Sequence, residues 1–237
     1  DPAEYVGGDK FSGWEEFLAA GVWNSKPYAY RGRWGKMKTV TGMFEFYSET
    51  LKKALESHAE KHETDVDTVL ETCNYQARGA MAFLPHYEEP EMAGSEAEYP
   101  LVFVDYKSKL NREGRSANTS WYQELRDLDP GCESYTDVAQ FNPIDAKKFG
   151  IETGDKIKLI SVTGELECHA KLWEGVRPGT VAKAYGQGHW AYGRVASEEF
   201  GKTSRGGNNN DIIPADYDRL SGASAFYANA RVKVEKV

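Results

Sequence analysis

The stretch NPIDAKKFGIETGDKIKLISVTGELECHA, residues 142–170, decides the fold that we predict. Asn142 is a favoured N-cap residue, Pro143 suits the first position of a helix, and Gly150 suits the left-handed position that ends one. Beyond this helix, apolar residues alternate with polar ones on both sides of a Thr-Gly turn: Ile157, Leu159, Leu166, Cys168 and Ala170. Such alternation predicts a β-hairpin after the short helix.

Further strands are predicted on both sides of this stretch. The apolar run PLVFV, residues 100–104, is typical of a strand that is buried on both faces. Asp137–Phe141 is short and mixed in composition, and Val181–Ala182 and Val232–Val234 predict two further strands. Five or six short strands with tight glycine turns predict a small closed barrel. The predicted fold class is therefore mixed α/β and mainly β.

The first part of the chain is predicted to be helical and irregular. A capping box at Ser12 and N-caps further along predict three helices. The first is expected to begin at Ser12 and end at Gly21, and the second to begin at Ser48. Thr64 and Asp67 are expected to open the third, which Gly79 would end. Phe44 and Phe46 alternate with polar residues as in a short strand. Residues 85–98 are acidic and interrupted by prolines, which is typical of a linker. We therefore predict a domain boundary between residues 1–95 and residues 96–237.

The composition is that of an ordinary globular chain: of 237 residues, 28% are charged and 40% are hydrophobic, with a formal net charge of −8. This acidic balance argues against a general nucleic-acid-binding surface, and no apolar run approaches the ~18 residues of a membrane span. Three cysteines without a CxxC pair exclude zinc-ribbon and iron–sulfur spacings. Because the chain begins Asp-Pro-Ala-Glu-Tyr, with neither an initiator Met nor a signal segment, we expect it to be a piece of a longer chain.

A basic loop follows the predicted strand at residues 100–104. Residues 107–121 contain four basic side chains and one acidic one, interleaved with hydroxyl and amide groups. Arg and Lys neutralise the charge of phosphate oxygens, and Ser, Thr and Asn donate short hydrogen bonds to them. The loop therefore predicts a phosphate-binding segment. A solvated basic loop, or a loop that makes oligomer contacts, accounts for the same residues.

Two further segments favour the binding of a flat ligand. Residues 185–193 hold three glycines, which let a backbone approach a ligand closely, and Trp190 and Tyr192 offer stacking faces. His189 either donates to an anion or satisfies a carbonyl group. Residues 205–211 carry three successive asparagines, whose amides can read the edge of a heterocycle or simply form a turn. The motifs GxSxG, GxxxxGK[ST], HExxH and GxGxxG are absent, so we predict a binding surface with no catalytic or metal-ligating residue.

Four segments follow one another along the chain in a distinctive order: Trp34–Ser48, Asn142–Glu165, Val176–Trp190 and Gly207–Phe226. Together they resemble the C-terminal portion of the molybdopterin oxidoreductases of the dimethyl sulfoxide reductase family. In the first segment Met43 stands where the family usually has a lysine. The resemblance covers most of the chain and is strongest from residue 99 to the end.

The resemblance implies a six-stranded double-psi barrel that closes over a bis(pyranopterin guanine dinucleotide) cofactor of molybdenum or tungsten. In that family the metal ligand and the iron–sulfur cysteines belong to earlier domains, so residues 1–95 would be a remnant of the preceding domain. The fragment would then be inactive alone. Carried over by position, the residues that would contact this molybdopterin guanine dinucleotide are Tyr106, Lys107, Ser108, Arg112, Asn118, Thr119, Ser120, Trp121, His189, Trp190, Asn208 and Asn210.

The resemblance also implies an activity and partners. The similar branch reduces thiosulfate, polysulfide, tetrathionate or arsenate, so a sulfur or arsenic oxyanion or polysulfide is the expected substrate. The expected partners are the rest of the same catalytic subunit, an iron–sulfur electron-transfer subunit and a membrane anchor, on the periplasmic or extracytoplasmic face. No nucleic acid and no direct membrane insertion are expected. The residues alone leave one alternative open, a stand-alone double-psi barrel that binds a protein or peptide.

Overall fold

The computed structural model of the chain describes residues 8–24, 31–32, 37–109, 114–124, 138–191, 193–223 and 229–237. The chain divides into two units, residues 1–88 and residues 89–237. The predicted boundary after residue 95 stays a prediction.

The acidic segment at residues 85–98 makes contacts of its own. Glu88 Oε1 accepts hydrogen bonds from the backbone amides of Gln76 and Ala77, each at 2.9 Å, within the first unit. Ala93 forms a parallel bridge with Ala230 within the second unit. Parts of this segment therefore belong to the packed structure on either side.

The first unit is helical. Its elements are α1 (Trp14–Ala20), α2 (Glu49–Lys61), α3 (Val66–Thr72) and a 3₁₀ helix at Gly79–Phe83. Ser48 Oγ accepts a hydrogen bond from the Leu51 amide at 3.1 Å, so Ser48 caps α2 as predicted. The buried apolar residues of this unit's described part lie on these helices: Leu55, Ala59, Leu70, Ala82 and Phe83.

Gly21 ends α1 as predicted, with a φ of 70°, but the predicted start of α1 and both predicted ends of α3 are wrong in detail. Gly13 is the N-cap of α1, because the hydroxyl of Ser12 is engaged with the Glu16 carboxylate at 2.7 Å. Asp65, rather than Thr64, caps α3 by accepting from the Thr68 amide. This helix ends at Thr72, well before Gly79. The reason is Asn74, which takes the left-handed conformation at a φ of 56° that commonly ends a helix.

The short strand predicted at Phe44 and Phe46 is not formed. The two rings instead pack edge to face with their centroids 4.9 Å apart. Every strand of the described residues lies beyond residue 100, so this segment has no neighbouring strand in the described part of its unit. An isolated extended segment cannot satisfy its backbone in a ladder.

The second unit carries eight strands among the described residues. They are β1 (Leu101–Tyr106), β2 (Val138–Phe141), β3 (Lys156–Ile160), β4 (Glu165–Leu172), β5 (Thr180–Ala184), β6 (Ser197–Glu199), β7 (Thr203–Ser204) and β8 (Ala230–Lys236). Two α-helices, α4 (Ser120–Glu124) and α5 (Pro143–Phe149), and two 3₁₀ helices, Arg115–Asn118 and Asn209–Asp211, lie between them.

Six of these strands close into a barrel in the order β1-β5-β2-β4-β3-β8. The β1/β5 and β2/β4 pairs are parallel and the other four pairs are antiparallel. Strands β6 and β7 form a separate two-stranded sheet. The closed six-stranded barrel, mainly β and with few helices, confirms the predicted fold class.

The barrel core follows from the alternation of apolar residues. Ile157 and Leu159 of β3 face Leu166 and Cys168 of β4 in the interior, as the hairpin pattern predicted. The prediction for β1 is only half right. Leu101 and Phe103 are almost completely buried, whereas Val102 and Val104 are half-buried, because only the inner face of a barrel strand meets the core.

Helix α5 is built as its sequence predicts and ties a distant turn to the barrel. Asn142 Oδ1 accepts from the Ile144 amide at 2.9 Å, and Gly150 takes a φ of 66° at the other end. The Asn142 side chain also donates to the Val176 carbonyl at 2.7 Å, and the buried carboxylate of Asp145 accepts from the Gly179 amide at 2.5 Å. The helix thereby fixes the turn that leads into β5.

Candidate functional site

The three segments selected from the sequence leave or approach the same end of the barrel. Strands β1 and β5 are parallel neighbours, so the loops that follow them begin side by side. The Tyr185 amide donates to the Tyr106 carbonyl at 3.0 Å where these two loops start. Lys183 Nζ donates to the Gly207 carbonyl at 3.0 Å and so brings the 205–211 segment to this end as well.

A buried polar network holds the 205–211 segment against the barrel. Asn209 donates from Nδ2 to Asp105 Oδ1 at 2.5 Å and to the Lys183 carbonyl at 3.2 Å. Lys183 is 1% exposed and Asn209 is 3% exposed. Burial raises the pKa of the Asp105 carboxyl group, although the hydrogen bond from Asn209 and the charge of Lys183 act in the opposite direction.

Sequence reasoning missed Asp105, Lys183 and Asn209. A signal for the first two was present, because each is a charged residue at the end of an apolar strand and continues its inward-facing alternation. Asn209 offered no such signal, since it is the middle one of three identical residues. Only its place in the 3₁₀ helix turns its side chain inward, while Asn208 is half-buried and Asn210 is exposed.

Close backbone approach joins the loop after β5 to the 205–211 segment. Gly188 donates from its amide to the Arg205 carbonyl at 3.1 Å and takes a φ of 84°. A Cβ at this position would lie 2.4 Å from the Asn208 amide nitrogen, so any larger residue would push the two segments apart. His189, the next residue, is half-buried, and its Nε2 lies near Gly114 of the basic loop.

Asn118 links the basic loop to the segment beyond residue 192. Its Oδ1 accepts hydrogen bonds from the amides of Val195 and Ala196, at 3.2 and 3.4 Å. The same side chain packs against Gly193, where a Cβ would come within 2.1 Å of it. The Asn118 oxygen is therefore engaged with the protein itself, and its contribution is to hold the two loops together.

The other predicted residues of the basic loop differ in exposure. Ser108 is 2% exposed, and its Oγ has no hydrogen-bond partner among the described residues. Tyr106 and Thr119 are half-buried, whereas Lys107 and Ser120 are exposed and Trp121 is 71% exposed. Arg112 lies outside the described residues.

The remaining predicted residue of the loop after β5 is Trp190, whose side chain is 58% exposed. Its carbonyl accepts from the Gly201 amide at 2.6 Å, so its backbone is held although its ring is largely open to solvent. Asn208 Oδ1 accepts from the Asn210 amide at 3.1 Å, which shapes the turn at the start of the Asn209–Asp211 helix.

Three of the predicted residues border cavities of the barrel unit: Asn208 borders one, and Tyr106 and Lys107 border another. A cavity of about 700 Å³ is bordered by Gly188, Arg205 and Asn208 together with residues of β3, β4, β6 and β7. A second cavity, of about 470 Å³, is bordered by Tyr106 and Lys107 with residues of the 173–177 turn. Both volumes lie in the range of pockets that bind small molecules.

Comparison with known proteins identifies the family. The family model described as "Molydopterin dinucleotide binding domain" matches residues 111–230, about half of the chain. The chain belongs to this family. The matched range contains the segments at residues 114–121, 185–191 and 205–211 that meet at one end of the barrel.

Two relatives share the name arsenate respiratory reductase molybdopterin-containing subunit ArrA. The one from Shewanella sp. (strain ANA-3) is 62% identical over 237 residues, which is 100% of this chain and 28% of the relative. The one from Chrysiogenes arsenatis is 54% identical over 237 residues, with 99% and 28% covered. The chain thus spans about 28% of the length of these relatives.

A solved structure supports the fold. Acetylene hydratase from Pelobacter acetylenicus superposes with a TM-score of 0.50 at 20% identity, over 83% of this chain and 24% of that one. At this identity the likeness concerns the fold alone.

The residues at this end of the barrel fit a phosphorylated dinucleotide. Ser108 Oγ and Arg205 Nε are buried and have no hydrogen-bond partner among the described residues, and both can donate to phosphate oxygens. Leaving such groups without a partner is costly, so a bound anion would stabilise both. The described residues contain no group of three or more His, Cys, Asp or Glu suited to a metal ion, and none of their helices is long and apolar enough to cross a membrane.

Proposed function

We propose that this chain is the C-terminal cofactor-binding part of the catalytic subunit of a molybdopterin oxidoreductase that reduces arsenate. The observation that carries the proposal is the identity of 62% and 54% to two ArrA subunits along essentially the whole chain. Three loops meet at one end of the barrel in a domain of the dinucleotide-binding family, which supports the cofactor-binding part of the proposal.

In this proposal the cofactor is molybdopterin guanine dinucleotide, with molybdenum or tungsten as its metal. When bound, it supplies the redox chemistry, and the protein supplies orientation and electrostatics. Ser108, Lys107 and Arg112 would donate to its phosphates, and Asn208, Asn210 and His189 would face its heterocycles. The network of Asp105, Lys183 and Asn209 would keep the 205–211 segment in place while the ligand binds.

The proposal extends to the context of the whole protein. The rest of the same catalytic subunit would carry the metal ligand and an iron–sulfur cluster. An iron–sulfur electron-transfer subunit and a membrane anchor would complete an enzyme on the extracytoplasmic side of the membrane. The chain covers only 28% of each ArrA subunit, which supports the first of these parts. A twin-arginine signal at the start of the gene together with periplasmic fractionation would test the proposed location.

The experiment that tests the proposed function uses the full-length protein that carries this chain, produced anaerobically with molybdate. Guanine nucleotide released by acid hydrolysis is quantified by chromatography, molybdenum by mass spectrometry, and arsenate reduction by oxidation of a reduced viologen dye. We expect nucleotide and molybdenum in fixed ratio to protein, and arsenate-dependent turnover. A folded, full-length protein that contains neither nucleotide nor metal would contradict the proposal.

Ser108→Ala sharpens this test. Because the buried hydroxyl of Ser108 has no partner among the described residues, its removal should leave the stability of the cofactor-free protein equal or higher. The same change should speed the loss of nucleotide from the loaded protein. Ser95→Ala is the control, since Ser95 is exposed and its Oγ accepts a long hydrogen bond of 3.4 Å from the Glu98 amide in its own turn.

A further inference from the structure

Arg205 stands out in the cavity of about 700 Å³ because its charge is incompletely satisfied. The side chain is half-buried, and its Nε–H is buried with no hydrogen-bond partner among the described residues. A guanidinium nitrogen that is withdrawn from water without a partner is unfavourable unless a ligand accepts its hydrogen bond. This makes Arg205 the strongest candidate for a ligand-binding residue that sequence reasoning did not select.

The backbone of Arg205 is fixed by two separate segments. Its amide donates to the Ala196 carbonyl at 3.2 Å, and its carbonyl accepts from the Gly188 amide at 3.1 Å. Arg205 therefore lies where the loop after β5, the β6–β7 sheet and the 205–211 segment meet. These bonds fix the position from which the side chain extends, and the planar guanidinium at its end presents its donors in a rigid fork.

The other charges of the cavity define what kind of ligand fits. Four carboxylates border it, and lysines already neutralise two of them: Lys158 pairs with Glu165 at 2.8 Å, and Lys156 pairs with Glu167 at 2.7 Å. The other two, Glu198 and Asp211, also border the cavity. A simple anion would be repelled by these two groups. A ligand that carries a phosphate together with N–H donors would satisfy both Arg205 and the carboxylates.

We propose that Arg205 binds a phosphate group of the nucleotide cofactor in this cavity, with the heterocyclic N–H groups of the same ligand facing the carboxylates. This inference rests on the proposed function and adds a binding residue and an orientation to it. The guanidinium would donate to the phosphate in the forked geometry that arginine favours.

The test compares Arg205→Gln, Arg205→Lys and the control Arg219→Gln, which removes an exposed arginine elsewhere on the same unit. Each full-length protein is purified with its cofactor and incubated, and the guanine nucleotide that remains bound is measured over time. We expect release to be at least about tenfold faster in Arg205→Gln, intermediate in Arg205→Lys, and unchanged in Arg219→Gln. Release from Arg205→Gln at the wild-type rate would overturn the inference and leave the proposed function standing. Wild-type protein without nucleotide would instead refute the proposed function.

A second measurement needs no substitution and covers the case in which the variants do not fold. Wild-type protein, with its cofactor and after cofactor removal, is treated with phenylglyoxal, and modification of Arg205 is followed by mass spectrometry. We expect Arg205 to be protected only in the loaded protein, while Arg219 reacts equally in both. Equal reactivity of Arg205 in the two forms would overturn the inference.

Discussion

Asn209 Nδ2 lies 2.5 Å from Asp105 Oδ1, although 104 residues separate the two in the chain. The bond joins the C-terminal end of β1 to the 3₁₀ helix Asn209–Asp211, which contains Asn210 and has Asn208 as its N-cap. Lys183 on the neighbouring strand donates to the Gly207 carbonyl, so two bonds hold the 205–211 segment against this end of the barrel.

The first prediction concerns this bond. Asn209→Ala removes the donor to Asp105 and leaves a partly buried carboxylate without it, so the free energy of unfolding should fall by about 1–3 kcal/mol. Asn210→Ala is the matched control: the same residue type, one position along and exposed, should change it by less than about 0.5 kcal/mol. Urea denaturation of the chain measures both. Equal losses of unfolding free energy in the two variants would contradict a stabilising contribution of the bond between Asn209 and Asp105.

The second prediction concerns the dependence of stability on pH. Because burial raises the pKa of Asp105, the unfolded chain releases this proton at a lower pH than the folded chain does. The contribution of Asp105 to stability therefore falls as pH rises from its ordinary pKa, about 3.9, through the raised value. Asp105→Asn keeps an acceptor for Asn209 but cannot ionise. Melting temperatures measured against pH should show the wild type losing stability relative to Asp105→Asn across this interval, and parallel curves would contradict the prediction.

The third prediction concerns the first unit, where His86 Nε2 lies 2.8 Å from Glu88 Oε1. The hydrogen bond with Glu88, aided by one to the Leu84 carbonyl, raises the pKa of His86. Burial alone would raise the pKa of Glu88, but its bonds from Ala77, His86 and Gln76 together lower it. Glu88→Gln should therefore bring the pKa of His86 down towards its ordinary value, as read from the imidazole signals by NMR titration.

The same pair predicts a pH effect on stability. A histidine whose pKa is raised on folding stabilises the protein below its unfolded pKa, about 6.5, and this stabilisation is lost as pH rises through the folded pKa. The difference in melting temperature between wild type and Glu88→Gln should thus narrow as pH rises through that interval. Glu60→Gln, an exposed carboxylate on α2, serves as control and should leave the titration of His86 unchanged.

The fourth prediction separates backbone strain from steric conflict. Gly188 and Gly201 both take a positive φ, 84° and 78°, but a Cβ would meet the Asn208 amide at 2.4 Å at the first position and nothing within 4 Å at the second. Gly201→Ala should cost about 1–2 kcal/mol of stability from strain alone. Gly188→Ala should cost about 1–3 kcal/mol more and raise hydrogen exchange in residues 205–211. Equal effects of the two substitutions would refute the close approach.

Local sequence signals predicted much of the barrel. The Asn142 cap, Pro143 and the Gly150 stop each do what their residue type suggests, because capping depends only on a few neighbouring residues. The β3–β4 hairpin follows in the same way from strict alternation. Both errors in the ends of α3 lie where a local signal had a local competitor: Asp65 next to Thr64, and Asn74 ahead of Gly79.

The candidate site was predictable as three loops but not as an arrangement. The resemblance selected Asn208 and Asn210, whereas the side chain that anchors the segment is that of Asn209. It also grouped Tyr106 with Asn208, yet these residues border different cavities. Neither fact could be read from residue types, because both depend on which way a loop turns after it leaves the barrel.

The sequence by itself determined the strands of the barrel, the short helix between β2 and β3, and the three loops that carry the candidate ligand-binding residues. These follow from periodicity, capping and composition, which act over a few residues. Only the tertiary structure decided that Asp105, Lys183 and Asn209 meet, and that Arg205 faces a cavity with a buried donor to satisfy. The physical reason is barrel closure: the parallel pairing of β1 with β5 sets Asp105 opposite Lys183, and no local pattern carries that register.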